Sequence, residues 1–194
     1  MQKRRTIIVT GKAGAGKSTV AGILKEFGFE IIDVDQVAHS ILNEKKEELV
    51  EVFGPEILNK DGYIDRKALG NIVFADPEKF HALEEIVHPP LIEKLKEIVL
   101  SQVKDLVLDV AIPYRLRLYS LADFAIVVFA SPHIIRERLL KKGWTEEKIE
   151  SILKKQQEEV IEGKYYLLEN DGTINDLENK LFEILRMEGF IGDV

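Results

Sequence analysis

The sequence predicts an α/β fold in which a five-stranded parallel sheet, open and doubly wound, carries helices on both faces. Short β-branched apolar runs lack polar alternation, which is typical of strands covered on both faces. Helical patterns separate these runs in the order expected of βαβ units. A glycine-rich segment joins the first run to the first helix. The predicted strands are Thr6–Thr10, Phe29–Asp33, Leu106–Ile112 and Phe124–Ala130, with Tyr165–Leu168 as a weaker fifth.

Helical periodicity predicts helices over Lys17–Phe27, 132–142, 145–162 and 174–188, with Thr145 at an N-cap after Gly143-Trp144. The stretch from 36 to 104 also reads as helical and is far too long for an ordinary βα connection. We therefore predict one domain over 1–194, with a core of 1–35 and 105–194 and a helical insertion. Its turns are predicted at Gly54-Pro55, Asn59–Gly62, Asp76-Pro77 and His88-Pro89-Pro90.

Composition excludes several classes of function. The chain has 194 residues, a net charge of −7 and no cysteine. It therefore has no disulfide framework, thiolate nucleophile or cysteine-based metal site. The acidic balance argues against nucleic-acid and anionic-membrane partners. No apolar run approaches the roughly 20 residues of a membrane span, and the basic start lacks the apolar core of a signal peptide. We expect a cytoplasmic protein, and nothing here predicts its oligomeric state.

A phosphate-binding motif lies between the first strand and the first helix. Residues 11–18 match G-x-x-x-x-G-K-[ST], the P-loop or Walker A pattern. Glycines let backbone N–H groups point at phosphate oxygens, and the helix adds its positive N-terminus. Lys17 is expected to reach the β- and γ-phosphates, and the Ser18 hydroxyl to ligate Mg²⁺. The predicted ATP-binding residues of the loop are Gly14, Ala15, Gly16, Lys17, Ser18 and Thr19.

The rest of the chain favours a small kinase over a GTPase. Asn59-Lys60-Asp61-Gly62 is one residue too short for the guanine-reading N-K-x-D motif. A helix pair over about 132–160 is a candidate lid. Its basic residues, Arg136, Arg138, Lys141 and Lys142, are a solvated face on one interpretation. On the other they clamp ATP phosphates, and Arg138 is the predicted ATP contact.

Carboxylates and cations near strand and helix ends are candidates for acceptor chemistry. Asp33 ends the second strand and is predicted to orient or deprotonate an acceptor hydroxyl, whereas Asp35 is favoured as cap of a helix beginning near Gln36. Asp65 is expected to cap the next helix. Arg66 either faces acceptor phosphates or points to solvent.

Two further side chains leave alternatives open. Asp109 lies within its apolar run, so that an indirect Mg²⁺ role and a buried structural role are equally open. His88 is a candidate substrate-binding residue, with a turn or packing histidine as the alternative.

The chain resembles the dephospho-CoA kinases over nearly its whole length. Inside the insertion, an ordered series of short motifs makes the resemblance more specific than the generic phosphate loop. The matching segments are Gly11–Thr19, Ile32–Asp35, Phe53-Gly54, Asp61-Gly62, Asp65-Arg66, Val73-Phe74, Leu83-Glu84, His88-Pro89, Gln156 and Asn170…Gly172.

The resemblance implies a P-loop containing nucleoside triphosphate hydrolase fold, an acceptor-binding insertion over 36–104 and a helical lid. It implies transfer of phosphate from ATP, with Mg²⁺, to the ribose 3′-hydroxyl of dephospho-CoA. Asp33, Lys17 and Arg66 would be the catalytic residues, with Asp33 as the base or orienting carboxylate. Dephospho-CoA would be the small-molecule partner, bound through Asp33, Arg66 and His88.

The chain departs from the family pattern at several positions that bear on acceptor and adenine contacts. Arg115 replaces an acidic residue and Arg117 a glycine. His39 and Lys142 each replace an arginine, and Tyr165-Tyr166 replaces Ala-Asp. Two other functions are therefore kept as alternatives. One is a P-loop kinase for another small molecule or nucleotide, and the other is a nucleotide-binding regulatory protein with little transfer activity.

Overall fold

The structure, a computed structural model, describes residues 4–111, 116–155 and 160–191. Arg115, Gln156 and the end of the third predicted strand, from Ile112 on, lie outside the described residues. The chain divides into two compact units, of which the second is Asp33–Ser101 and the first comprises the residues on either side of it. Across the described ranges, no helix combines the length and the apolarity that a membrane crossing needs.

The first unit is built on the predicted sheet, whose strand order is β2-β3-β1-β4-β5. The pairs β1–β3, β1–β4 and β4–β5 are parallel. The weaker fifth prediction is confirmed as β5. The strands are β1 (Thr6–Thr10), β2 (Glu30–Asp33), β3 (Leu106–Asp109), β4 (Phe124–Phe129) and β5 (Tyr165–Glu169).

Helices surround the sheet and form the second unit. The helices of the first unit are α1 (Lys17–Glu26), α6 (Pro132–Lys141), α7 (Glu146–Lys155) and α8 (Ile174–Met187), with a 3-10 turn over Leu118–Leu121. Those of the second are α2 (Val34–Glu44), α3 (Lys46–Phe53), α4 (Arg66–Val73) and α5 (Pro77–Ser101), with a 3-10 turn over Pro55–Ile57.

Both faces of the sheet are covered, as the continuous apolar runs of the strands predict. Ile7 and Val9 pack into one cluster with Leu24 of α1 and Leu181 of α8. Ile8, on the opposite face of β1, is fully buried as well. Burial on both faces is the reason for the missing polar alternation.

The second unit has a core of its own. Leu49, Phe53, Ile57, Leu69 and Val73 form one buried cluster. The helices of this unit therefore bury a shared apolar interior rather than forming an extended connection.

Helix caps and turns follow the sequence in most places. Asp65 accepts hydrogen bonds from the N–H groups of Lys67 and Ala68, at 2.8 and 3.1 Å, and so caps α4 as predicted. Thr145 accepts from the N–H of Lys148 at 3.3 Å before α7. The Asn59 side chain accepts from the N–H groups of Asp61 and Tyr63 in the predicted turn.

The predicted turn at His88-Pro89-Pro90 is wrong. Helix α5 runs through both prolines to Ser101. Each proline removes one helical N–H donor and crowds a carbonyl four residues earlier. The flanking side chains of Val87, Leu91 and Leu95 are buried, so packing holds the helix together at this point.

Strand β3 ends earlier than predicted, which changes the position of Asp109. The last β1–β3 pair is Val9 with Asp109, because β1 itself ends one residue later at the phosphate loop. Asp109 is therefore the terminal residue of β3 and not an interior one. It is half-buried at the carboxyl end of the strand.

Arg117 has a left-handed backbone, with φ 51° and ψ 34°. This conformation costs a non-glycine residue about 1–2 kcal/mol. We expect Arg117→Gly to raise the free energy of unfolding by up to about 1 kcal/mol, since glycine removes the strain but adds backbone entropy to the unfolded chain. Chemical denaturation measures the change. Arg186→Gly in α8 is the control and is expected to destabilise by about 1 kcal/mol; equal losses in both variants would contradict the strain at Arg117.

Candidate functional site

The phosphate loop joins the end of β1 at Thr10 to the start of α1 at Lys17. A turn inside it is closed by the Ala15 N–H, which donates to the Lys12 carbonyl at 3.0 Å. Gly14 and Gly16 have φ values of 80° and 108°. Left-handed glycines on either side of Ala15 curl the backbone in the way that phosphate binding requires.

Close packing is a second reason for glycine at these loop positions. A Cβ on Gly11 would overlap the Val128 carbonyl of β4, and one on Gly16 would overlap the Asn170 side chain. A Cβ on Gly14 would lie 3.0 Å from Leu139 Cγ of α6. Glycine at these positions therefore lets the loop lie directly against β4, α6 and the residue after β5.

The N-terminus of α1 is open to an anion. Its N-cap, Gly16, has no side chain to accept from the first N–H groups, and the first turn contains no acidic residue. Lys17, Ser18 and Thr19 form that turn, and the Ser18 side chain is exposed. The N–H groups of Lys17 and Ser18, the helix dipole and the Lys17 side chain all favour negative charge at this point.

Asn170 and Arg138 donate hydrogen bonds to carbonyl groups of the phosphate loop. Asn170 is 7% exposed, and its Nδ2 donates to the Ala15 carbonyl at 2.7 Å. The Arg138 guanidinium donates to the Gly14 and Ala15 carbonyls at 3.4 and 3.3 Å, and to the Asn170 carbonyl at 2.9 Å. The carbonyls of Gly14 and Ala15 are thereby fixed by two side chains that also line the cavity beside the loop.

Asp171 connects the loop after β5 to the start of α6. Its carboxylate accepts from the Ser131 N–H at 2.7 Å, and this hydrogen bond holds the pKa of Asp171 below its ordinary value. The Asn170 N–H donates to the Phe129 carbonyl at 2.8 Å. Together these bonds set the position of α6, which carries Arg138.

A cavity of about 600 Å³ opens in front of the loop. It is large enough for a nucleotide-sized ligand. Lys17, Ser18 and Thr19 line it at the loop, Arg138 and Lys142 at α6, and Asn170, Gly172 and Ile174 in the segment after β5. The structure thus brings Arg138 and the predicted loop residues to one cavity, except Ala15, which is fully buried and does not line it.

The other basic residues predicted for the lid helix include two that form ion pairs with glutamates. Arg136 pairs with Glu146 of α7 at 2.8 Å, and Lys141 pairs with Glu137 on its own helix. Arg136 therefore links the two helices. Arg138 alone among the predicted four residues has a recorded hydrogen bond to the phosphate loop in the part of the chain that the structure describes.

In the second unit, Asp33 has a different local role from the one predicted. It is the N-cap of α2, and its Oδ1 accepts from the Gln36 N–H at 3.1 Å. The predicted cap, Asp35, is wrong, because α2 begins at Val34 and Asp35 lies in its first turn. Gln36 Nε2 also donates to Asp33 Oδ2 at 2.9 Å, so the exposed carboxylate is held by both of its oxygens.

A group of charged residues surrounds His39 in this unit. His39 is half-buried one turn after Asp35. Burial, and after it the positive charge of Arg66, lower the pKa of His39, whereas Asp35 and Asp33 act in the opposite direction. Arg66, exposed at the start of α4, is therefore within electrostatic reach of the same imidazole as Asp33. The net lowering favours a neutral His39 at pH 7.

His88 lies on α5 and not in a turn. Its Nε2 is 3.9 Å from Glu84 Oε1, one helical turn earlier, and the side chain is 24% exposed. Its predicted role in substrate binding stays a prediction.

Asn170 is the site residue that motif reading missed. In the sequence it belongs to a segment, Asn170…Gly172, that matches the family pattern but carries no predicted role. Its partner, Ala15, is 155 positions away. A polar residue directly after the last apolar run is a usable signal, because the carboxyl ends of parallel strands meet at one edge of the sheet.

Comparisons with known proteins agree on one family. The sequence model of the family described as dephospho-CoA kinase matches residues 5–176. The chain is 37% identical to the dephospho-CoA kinase of Aquifex aeolicus over 179 residues, which cover 89% of this chain and 91% of that protein. It is 35% identical to the dephospho-CoA kinase of Wolinella succinogenes, with 92% of each chain covered.

Solved structures share the fold of this chain. A Thermus thermophilus protein superposes with a TM-score of 0.82 at 30% identity, and 96% of this chain and 98% of that one are covered. The dephospho-CoA kinase of Campylobacter jejuni superposes with a TM-score of 0.62 at 24% identity over 95% and 97% of the two chains, a likeness of fold. The chain belongs to the dephospho-CoA kinase family.

Proposed function

We propose that this protein transfers the γ-phosphoryl group of ATP to the ribose 3′-hydroxyl of dephospho-CoA, giving coenzyme A and ADP. The observation that carries the proposal is the phosphate loop with its uncapped helix, facing the large cavity in a chain that the family model matches over residues 5–176. Hydrogen bonds from Asn170 and Arg138 to the Ala15 carbonyl preorganise the loop for a triphosphate.

Positioning and charge stabilisation carry this reaction. The bond between the γ-phosphorus and the β,γ-bridging oxygen breaks, and its electron pair leaves with ADP. A new bond forms to the acceptor oxygen. Lys17 and the N–H groups of the loop stabilise the charge on the phosphate oxygens, and Arg138 is placed to add to them. Asp33 orients the acceptor hydroxyl and takes its proton, directly or through water.

Arg66 and His88 complete the proposed acceptor site of the second unit. The exposed guanidinium of Arg66 offers the bidentate donors that suit a phosphate group. It shares the surroundings of His39 with Asp33. An arginine and a carboxylate in one neighbourhood can hold the phosphate and the hydroxyl of one acceptor.

Mg²⁺ fits the donors that the loop offers. The Ser18 hydroxyl is exposed at the cavity, and Asp109 ends the strand next to β1. Both would supply the hard oxygen atoms that Mg²⁺ prefers as ligands. When bound, it neutralises charge on the β- and γ-phosphates.

The test is a mass-resolved assay with purified protein, ATP, Mg²⁺ and dephospho-CoA. Coenzyme A and ADP in equal amounts are expected. No coenzyme A at any substrate concentration would overturn the proposal. Product from another small-molecule acceptor would then assign a different kinase. Tight ATP binding without any transfer would assign a regulatory protein.

A further inference from the structure

A second cavity, of about 380 Å³, lies on the other side of the phosphate loop in the first unit. It is lined by Gly11 and Lys12 of the loop, by the end of β4 and by apolar side chains of α6 and α7. Those helical residues include Ile135 and Leu153. Its volume and its largely apolar lining are typical of small-molecule binding sites.

Among the residues that the structure describes, Lys12 is the one that lines both cavities. It is exposed, its carbonyl closes the turn of the loop, and no acidic side chain pairs with it in the part of the chain that the structure describes. Lys17, by contrast, lines only the cavity of about 600 Å³ and not the apolar one. Two molecules that occupied the two cavities would therefore meet at a cation that no carboxylate of the described residues neutralises.

We propose that the apolar cavity binds the purine of the acceptor and that Lys12 contacts the phosphoryl group as it passes between the two substrates. This inference rests on the proposed function. In dephospho-CoA the reacting 3′-hydroxyl and the adenine are attached to the same ribose, whereas the pantetheine follows a charged diphosphate. The flat apolar group nearest the reacting atom is therefore the base. It suits an apolar cavity, and the diphosphate does not.

Lys12 has a specific chemical use at this junction. In phosphoryl transfer, negative charge is spread over the transferring group and the attacking and leaving oxygens. A cation that reaches this group from the acceptor side contacts it more closely during the transfer than in bound ATP, where the group is still attached to ADP. It therefore raises the turnover number more than the affinity for ATP.

The Lys12 part of the proposal is tested with Lys12→Met. We expect kcat to fall about 100-fold, with the Kd for ADP changed by no more than about threefold. Lys12→Arg should recover much of the loss, because it restores the positive charge. Lys25→Met, an exposed lysine at the end of α1, is the matched control and should leave kcat unchanged. Unchanged kcat in Lys12→Met, or a loss of ADP affinity as large as the loss of kcat, would overturn the assignment.

The cavity is tested with Leu153→Ala, with Ile152→Ala as the matched control, because Ile152 is the adjacent residue of α7 and does not line the cavity. We expect Leu153→Ala to raise the KM for dephospho-CoA about tenfold and to leave the KM for ATP unchanged. Ala111→Leu, which fills the cavity from another wall, should do the same.

Two inhibitors that represent the two ends of the acceptor then decide which end binds there. At saturating ATP, adenosine 5′-monophosphate should compete with dephospho-CoA less strongly in Leu153→Ala than in the unaltered protein. Inhibition by 4′-phosphopantetheine should be unchanged. The reverse pattern, or an unchanged KM in both cavity variants, would overturn the inference while the unaltered enzyme still made coenzyme A. Failure of the unaltered enzyme itself would instead overturn the proposed function.

Discussion

Asp33→Asn is expected to lower kcat by about 100- to 1,000-fold while the KM for ATP changes by no more than about threefold. The substitution separates two roles of this side chain. Asparagine is as good an N-cap as aspartate, so its oxygen keeps the bond from the Gln36 N–H and helix α2 is retained. The negative charge that would orient the acceptor hydroxyl and take up its proton is lost. Steady-state kinetics with both substrates measure the effect.

Two further variants make the result for Asp33 decisive. Asp35→Asn removes the same charge two residues later, from a side chain that caps nothing, and should leave kcat nearly unchanged. Asp33→Ala should lose about 1 kcal/mol of stability in addition to activity, because it also removes the cap. If Asp33→Asn and Asp35→Asn lost activity equally, a general charge effect would replace the specific role of Asp33.

Gly16→Ala is the second substitution with a large expected effect. It should lower the free energy of unfolding by about 2–4 kcal/mol and abolish measurable ATP binding. A Cβ at φ 108° is strained and would overlap the Asn170 amide. The added methyl group would therefore push the loop away from the residue that holds it. Thermal unfolding and calorimetric titration with ATP measure the two quantities.

Gly22→Ala is the matched control for Gly16→Ala. Gly22 is exposed in the interior of α1, and a Cβ there meets nothing within 4 Å. It should stabilise the protein by about 0.5–1 kcal/mol, the usual gain from alanine in a helix. Adding Asn170→Ala to Gly16→Ala should recover stability if overlap is the cause. No recovery would leave backbone strain as the only explanation.

The parts of the fold that could be predicted from sequence are those fixed by local patterns. The strands β1 and β4 are continuous apolar runs, and burial on both faces follows from that pattern alone. The phosphate loop is a contiguous motif, so that its residues, their backbone geometry and the following helix could be predicted together. The cap at Asp65 is a local signal as well.

The errors arose where tertiary contacts override local preference. The prolines at 89 and 90 predict a turn, yet buried neighbours such as Leu91 hold the helix through them. Asp33 and Asp35 are equally good caps by composition, and only the end of β2 decides between them. The Asn170–Ala15 hydrogen bond joins residues from opposite ends of the chain, so no local pattern contains it.

Because of the bond between Asn170 and Ala15, we also expect the last strand and helix to respond to nucleotide. By thermodynamic linkage, a ligand at 100 times its Kd stabilises the folded state by about 2.7 kcal/mol. Because Asn170 joins the phosphate loop to the end of β5, part of that free energy should appear as slower amide hydrogen exchange in β5 and α8, beyond the residues that touch the ligand. Amide hydrogen exchange in β5 and α8 would thereby report whether a ligand is bound at the phosphate loop.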